Sequence, residues 1–193
     1  KTPTDEKAKI KCEYPYALSK YMGEQLVFHW SKVYNIKVNS IRIFNAYGKR
    51  VKTTGAYGAV FGVFFKQILE KKPLTVVANG KQKRDFVNVK DVVNAFYLAA
   101  ITKINNEIFN LGNNDPQSIN KLIKIIGYNK KIFLPKRPGE PNITWANNKK
   151  ITKKLGWKPK IKFEDGVNEM INDINKWKNA PLWNKRKIKA ATS

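Results

Sequence analysis

The chain is poor in the residues that make staples and metal cages. It has one cysteine, Cys12, and one histidine, His29, in 193 residues. No internal disulfide can form, and neither a cysteine zinc site nor a histidine cluster can be built. Acidic residues are scarce, 14 against 38 Lys and Arg, which leaves a formal charge of +24. No apolar run approaches the roughly 20 residues that cross a bilayer. The opening stretch KTPTDEKAKIK lacks a signal peptide's apolar segment, so a cytoplasmic protein with no membrane partner is expected.

What is present suffices for a folded domain. Hydrophobic residues make up 42%, enough for a real core and unlike a disordered composition. The length fits one domain, or one with a small lobe. The positive charge raises the possibility of a nucleic-acid surface. Its distribution argues against that reading: lysines are scattered along the whole chain, Arg is scarce, and the densest run, Lys185–Lys189, lies in the tail. Nucleic-acid readers concentrate Arg and exposed aromatics on one element.

The pattern alternates helices and strands. Met22, Leu26, Val27, Trp30, Val33 and Tyr34 recur at helical spacing within 15–34, with Pro15 suited to the first turn. Residues 37–45 read as a buried strand. A Gly/Lys/Thr-rich loop leads to a helix over 59–71, ended by Pro73. Strands are expected over 74–78 and 85–89, and a helix capped by Asp91 runs to about Ile101. A strand over 107–111 and a helix stopped by Gly127 follow. A strand over 131–135 and helices near 147–155 and 164–178 close the chain, the last with an apolar stripe from Val167 to Trp177. Alternation of this kind indicates an α/β fold.

Tyr16 and Lys20 stand four apart at a helix start, which places both on one face. A nearby ammonium favours the phenolate form of a tyrosine. Such a phenol can exchange a hydroxyl proton while hydride moves to a nicotinamide. The spacing alone carries nothing. With eight tyrosines and about one residue in six a lysine, roughly one such pair arises by chance.

The context carries more. Tyr14-Pro15-Tyr16-Ala17-Leu18-Ser19-Lys20-Tyr21-Met22-Gly23-Glu24 is followed in order by Ile41-Arg42-Ile43-Phe44-Asn45-Ala46-Tyr47-Gly48-Lys49-Arg50 and by Arg84-Asp85-Phe86-Val87-Asn88-Val89-Lys90-Asp91-Val92. Phe109-Asn110-Leu111-Gly112, Arg137-Pro138-Gly139-Glu140, Trp145-Ala146 and Leu155-Gly156-Trp157-Lys158-Pro159 complete the series. Together, over about residues 1–180, these resemble the extended short-chain dehydrogenases of the UDP-glucose 4-epimerase and nucleotide-sugar dehydratase group. Three positions depart from that pattern: Lys49 stands for a usual Pro, Asn88 for Tyr or His, and Asn147 for Asp.

The resemblance implies a set of roles. Tyr16 would be the catalytic acid/base, and Lys20 would hold the nicotinamide ribose of NAD and tune Tyr16. The backbone at Phe44 would touch the nicotinamide, and Asn45 would bind the phosphates of a nucleotide-diphospho-sugar, a UDP-sugar by preference. Arg84 and Arg137 would clamp the diphosphate, since guanidinium forks suit phosphate oxygens. Thr75 and Val77 would line the base pocket, and Val60 and Phe61 would approach the substrate. Plain core is the alternative for Val60, Phe61 and Val77, and a surface ion pair for the two arginines. Relatives of this kind dimerise through the Tyr-Lys helix and its neighbour, so a homodimer is implied. The 4-epimerase is preferred over a 4,6-dehydratase.

A dinucleotide fold needs a glycine-rich turn after its first strand. The best candidate, Gly55 to Gly62, has the wrong last spacing and lies downstream of Tyr16. It reads as a substrate-side loop entering a helix. The expectation is therefore part of a Rossmann-type NAD-binding domain, N-terminally truncated, plus a small substrate-binding α/β lobe. Residues 1–50 and about 84–112 would belong to the first, about 51–83 and 113–180 to the second, and 181–193 to a basic tail. Such a fragment is expected to bind NAD poorly and to be inactive alone.

Overall fold

The computed structural model describes residues 2–54, 60–136 and 139–183. The expected loop glycines Gly55 and Gly58, Arg137 and most of the basic tail lie outside the described residues.

The opening helix, α1, runs Pro15–Tyr34 with Pro15 in its first turn. Proline's missing N–H is no loss there. Two short strands follow, β1 (Asn39–Ile43) and β2 (Asn45–Tyr47). Helix α2 covers Val60–Leu69, then come β3 (Leu74–Val77), β4 (Lys83–Arg84) and β5 (Phe86–Asn88). Next are α3 (Val89–Ile101), β6 (Glu107–Leu111), β7 (Gln117–Ser118) and α4 (Ile119–Ile126). The chain continues through β8 (Lys131–Leu134), α5 (Lys149–Leu155) and α6 (Phe163–Asn172) to a 3-10 turn over Ile174–Trp177.

The strands pair as β1 with β6, β2 with β5 and β3 with β8, all parallel, and β4 with β7, antiparallel. Parallel neighbours need helical crossovers, which the alternation supplies. The α/β expectation therefore holds. β2, β4 and β7, only two or three residues each, were not foreseen, and Asn45 begins β2 rather than ending one long strand.

Two apolar clusters form. The larger gathers Phe61, Phe64 and Phe65 of α2, Leu74 and Val76 of β3, and Leu122, Phe163 and Met170. Phe61 stacks on Tyr47 with ring centroids 4.8 Å apart. The smaller joins Val87, Phe109 and Leu111 with α3, Ile151 and Trp157. Ile151 and Trp157, expected with the substrate lobe, thus pack beneath α3 and β6.

Several local expectations are corrected. Asp91 does not cap α3. The cap is Asn88, whose side chain accepts the Lys90 N–H at 2.9 Å. Asp91 lies in the first turn and turns its carboxylate to the N–H groups of Lys160 and Ile161, both at 3.1 Å. The helix over 59–71 ends at Leu69, ahead of Pro73, and Lys71 takes a left-handed φ of 54°. The helix over 164–178 breaks at Asp173, because tertiary bonds claim its end: Trp177 Nε1 donates to the Val51 carbonyl at 2.9 Å, and Lys66 Nζ to that of Lys178 at 2.7 Å. The stripe Met22, Leu26, Val27, Trp30, Val33 and Tyr34 of α1 is exposed. The side turned to the sheet carries Ala17, Glu24, Phe28 and Ser31 instead, since β1 offers polar partners there.

Candidate active site

Tyr14 takes an extended backbone at the head of α1, and its side chain makes no helix cap. Tyr16 follows in the first turn, half-exposed, and Ser19 Oγ donates to its carbonyl at 2.8 Å. One turn on, Lys20 Nζ lies over the Tyr16 ring, 5.4 Å from its centroid. The helical spacing read from the sequence is thus realised as a contact between ammonium and phenol.

The C-terminal ends of β1 and β6 form the floor of an open cleft of about 410 Å³, lined by Arg42, Phe44, Asn45, Asn110 and Thr144. Residues 4–10 roof it. Asn110 anchors that segment, its N–H donating to Glu6 Oε1 at 2.9 Å and its amide to the Thr4 carbonyl at 3.0 Å. The sequence reading passed over this segment as a polar lead-in.

Asn45 is held in one orientation. Its Oδ1 accepts from Thr144 Oγ1 at 2.7 Å, and that hydroxyl accepts the Asp85 N–H at 3.1 Å. Among the described residues the Asn45 NH2 group remains available as a donor. Phe44 N–H bonds the Leu111 carbonyl at 2.9 Å, which ties the cleft floor to β6. Asp85 is wholly buried and accepts the N–H groups of Asn113, Asn114 and Ala146 at 2.7, 3.2 and 2.8 Å. Burial raises its carboxyl above the ordinary Asp value, against those donors.

Arg84 is nearly buried. Its Nη1 donates to the carbonyls of Lys83 and Pro141, both at 2.9 Å, and its Nη2 to Glu140 Oε1 at 2.7 Å. The pair is largely buried, unlike the surface ion pair weighed as an alternative, and Glu140 sits in the segment that follows Arg137. The next residue back, Gly139, lies against the Tyr14 hydroxyl so closely that a β-carbon would overlap it. Tyr14, Gly139, Glu140 and Arg84 therefore link the start of the Tyr16–Lys20 helix to the guanidinium expected to meet a diphosphate.

The other expected residues lie apart from that link. Thr75 and Val77 share the half-buried face of β3, while Leu74 and Val76 enter the core. Gln67 grips Thr75, accepting its N–H at 3.1 Å and donating to its Oγ1 at 2.9 Å. Val60 is half-buried at the start of α2, and Phe61 is sealed in the core. Gly62 sits inside α2, where a β-carbon would meet the Lys52 carbonyl. Its smallness serves helix packing.

A family profile described as GDP-mannose 4,6 dehydratase matches residues 1–170. The chain belongs to that family. It is similar to a putative UDP-glucose 4-epimerase of Methanocaldococcus jannaschii, 34% identical over 175 residues that make up 88% of this chain and 56% of the relative. The UDP-glucose 4-epimerase of Thermotoga maritima, solved with UDP-glucose, superposes with a TM-score of 0.79 at 31% identity, over 90% of this chain and 57% of that one. The UDP-glucuronic acid 4-epimerase of Bacillus cereus, solved with UDP-glucuronic acid and NAD, gives 0.75 at 32% identity over 89% and 58%. The chain spans about half the length of the curated relatives it matches. With these neighbours the chain shares an α/β fold that is part of a Rossmann-type domain.

Proposed function

We propose that this chain supplies the acid/base pair and the sugar-nucleotide side of an NAD-dependent nucleotide-sugar 4-epimerase. The observation that carries the reading is Lys20 Nζ over the Tyr16 ring, with Tyr14 bridging to the Gly139–Glu140–Arg84 chain of contacts. Tyr16 would take the proton of the sugar C4 hydroxyl and later return it, and Lys20 would favour the phenolate meanwhile. Asn45, Arg84 and Arg137 would bind the diphosphate, and Thr75 and Val77 the base.

The residues present fit the nicotinamide end of NAD: a tyrosine and a lysine on one helix face, and Phe44 on the cleft floor. When bound, NAD would accept the C4 hydride and give it back to the other face of the sugar. A UDP-sugar is the substrate favoured by the relatives solved with UDP-glucose and UDP-glucuronic acid. No helix among the described residues is long and apolar enough to cross a membrane. A cytoplasmic location is part of the proposal, and it rests on the likeness to nucleotide-sugar epimerases. The exposed stripe of α1 supports a homodimer through that helix. A second reading, a 4,6-dehydratase, is favoured by the description of the matching family profile.

Calorimetry of the chain with UDP-glucose tests the pocket. Heat that disappears in Arg84→Ala supports it, and a folded chain giving none counts against it. In the full-length protein with NAD, Tyr16→Phe should lower turnover by orders of magnitude and spare UDP-glucose affinity. Unchanged turnover removes the mechanism, and a product that has lost water favours the dehydratase.

A further inference from the structure

Glu24 is the fourth residue after Lys20 on α1, a spacing at which opposite charges pair across one turn. Among the described residues no ion pair joins the two. Glu24 is claimed from the sheet instead. Arg42 Nε donates to its Oε2 at 2.9 Å and Nη2 to its Oε1 at 2.6 Å, while Ser40 Oγ donates to Oε2 at 2.8 Å. The Glu24 side chain is only 7% exposed. Arg42 Nη1 donates in turn to the Glu6 carbonyl at 3.1 Å. A two-pronged guanidinium contact holds a carboxylate in direction as well as distance, which a single ammonium cannot do.

We propose that Arg42 is a positioning residue that keeps the Glu24 carboxylate off Lys20, so that the ammonium stays with Tyr16. The proposal rests on reading Tyr16 and Lys20 as the acid/base pair. A carboxylate brought against Lys20 would draw the ammonium away from the Tyr16 ring, because opposite charges one helical turn apart attract. Without Arg42, Glu24 would be buried beside a sheet that no longer neutralises it, and Lys20 is the cation one turn away. The other ionisable groups facing Arg42 are Glu6 and Tyr21.

Steady-state turnover of the full-length protein with NAD and UDP-glucose reads this. Arg42→Met should lower kcat by roughly tenfold and leave the UDP-glucose KM little changed, and Arg42→Met with Glu24→Gln should bring kcat back toward the wild-type value. Arg42→Lys, a milder change that keeps a cation beside Glu24, should lower kcat less and serves if Arg42→Met does not fold. A general loosening of α1 would lower kcat in the single and double variants alike, and that result overturns the proposal. So does a wild-type kcat in both Arg42 variants while Lys20→Met lowers it. If Lys20→Met itself changes nothing, the Tyr16–Lys20 reading fails and takes the proposal with it.

Discussion

The Tyr14 hydroxyl occupies the space that a β-carbon on Gly139 would need. Gly139 also has φ of +68°, in the left-handed region that side chains disfavour. Gly139→Ala should therefore destabilise the chain by about 1–3 kcal/mol, from backbone strain and overpacking together. Urea unfolding measures this. Adding Tyr14→Ala should recover the packing part and leave the backbone part, and full recovery would show that strain at residue 139 is negligible.

Asp91 and Asn88 stand three apart and do different work. Asn88→Ala should cost about 1 kcal/mol, as for an ordinary helix cap. Asp91→Ala should cost more, about 1–3 kcal/mol, because it strips the acceptor from the Lys160 and Ile161 N–H groups. Hydrogen exchange separates the two: Asn88→Ala should speed exchange at the start of α3, and Asp91→Ala at residues 160–161.

Two carboxylates should tilt stability with pH in opposite directions. The Arg42 guanidinium bonded to Glu24 lowers its carboxyl below the ordinary 4.5. Its contribution is then fully present above that value and is lost as pH falls through the lower folded one. Burial raises Asp85 above the ordinary 3.8. Its contribution is present below 3.8 and is lost as pH rises through the folded value. In urea titrations at several pH values, the gap between wild type and Glu24→Gln should shrink on acidification, and the gap to Asp85→Asn on alkalinisation. A gap that grows where shrinkage is expected would reverse the corresponding assignment.

Trp157 is wholly buried, and its Nε1 donates to the Asp91 carbonyl at 3.0 Å. Trp157→Ala should cost about 3–5 kcal/mol, and Trp157→Phe less. Both should lower the melting temperature while leaving contacts in the larger cluster, such as Tyr47 on Phe61, intact by near-ultraviolet dichroism.

The helices and long strands were legible because burial imposes its period on the sequence, as in Phe61, Phe64 and Phe65 of α2. The Tyr16–Lys20 contact was legible because four residues make one helical turn. The pairing of Glu24 with Arg42 was not, since nothing local marks a partner 18 residues away on another element. Asp91 looked like a cap because an aspartate before an apolar run satisfies that rule, and only the fold reveals that residues 160–161 compete for it. β4 and β7, two residues each, are too short to show alternation. The exposed stripe of α1 follows the same period as a buried one, and sequence does not say which neighbour a periodic face will meet.

The fastening of α1 has a thermodynamic corollary. Glu24, Arg42 and Ser40 hold its middle, and the Ser31 hydroxyl meets the Ile36 carbonyl and the Asn106 amide near its end, while most of its large apolar side chains already face outward. Detaching this helix would wet little new hydrocarbon. Its release should carry a small heat-capacity increment and give urea weak leverage, so loss of α1 alone should register as a shallow step, apart from the steep loss of the two aromatic-rich clusters.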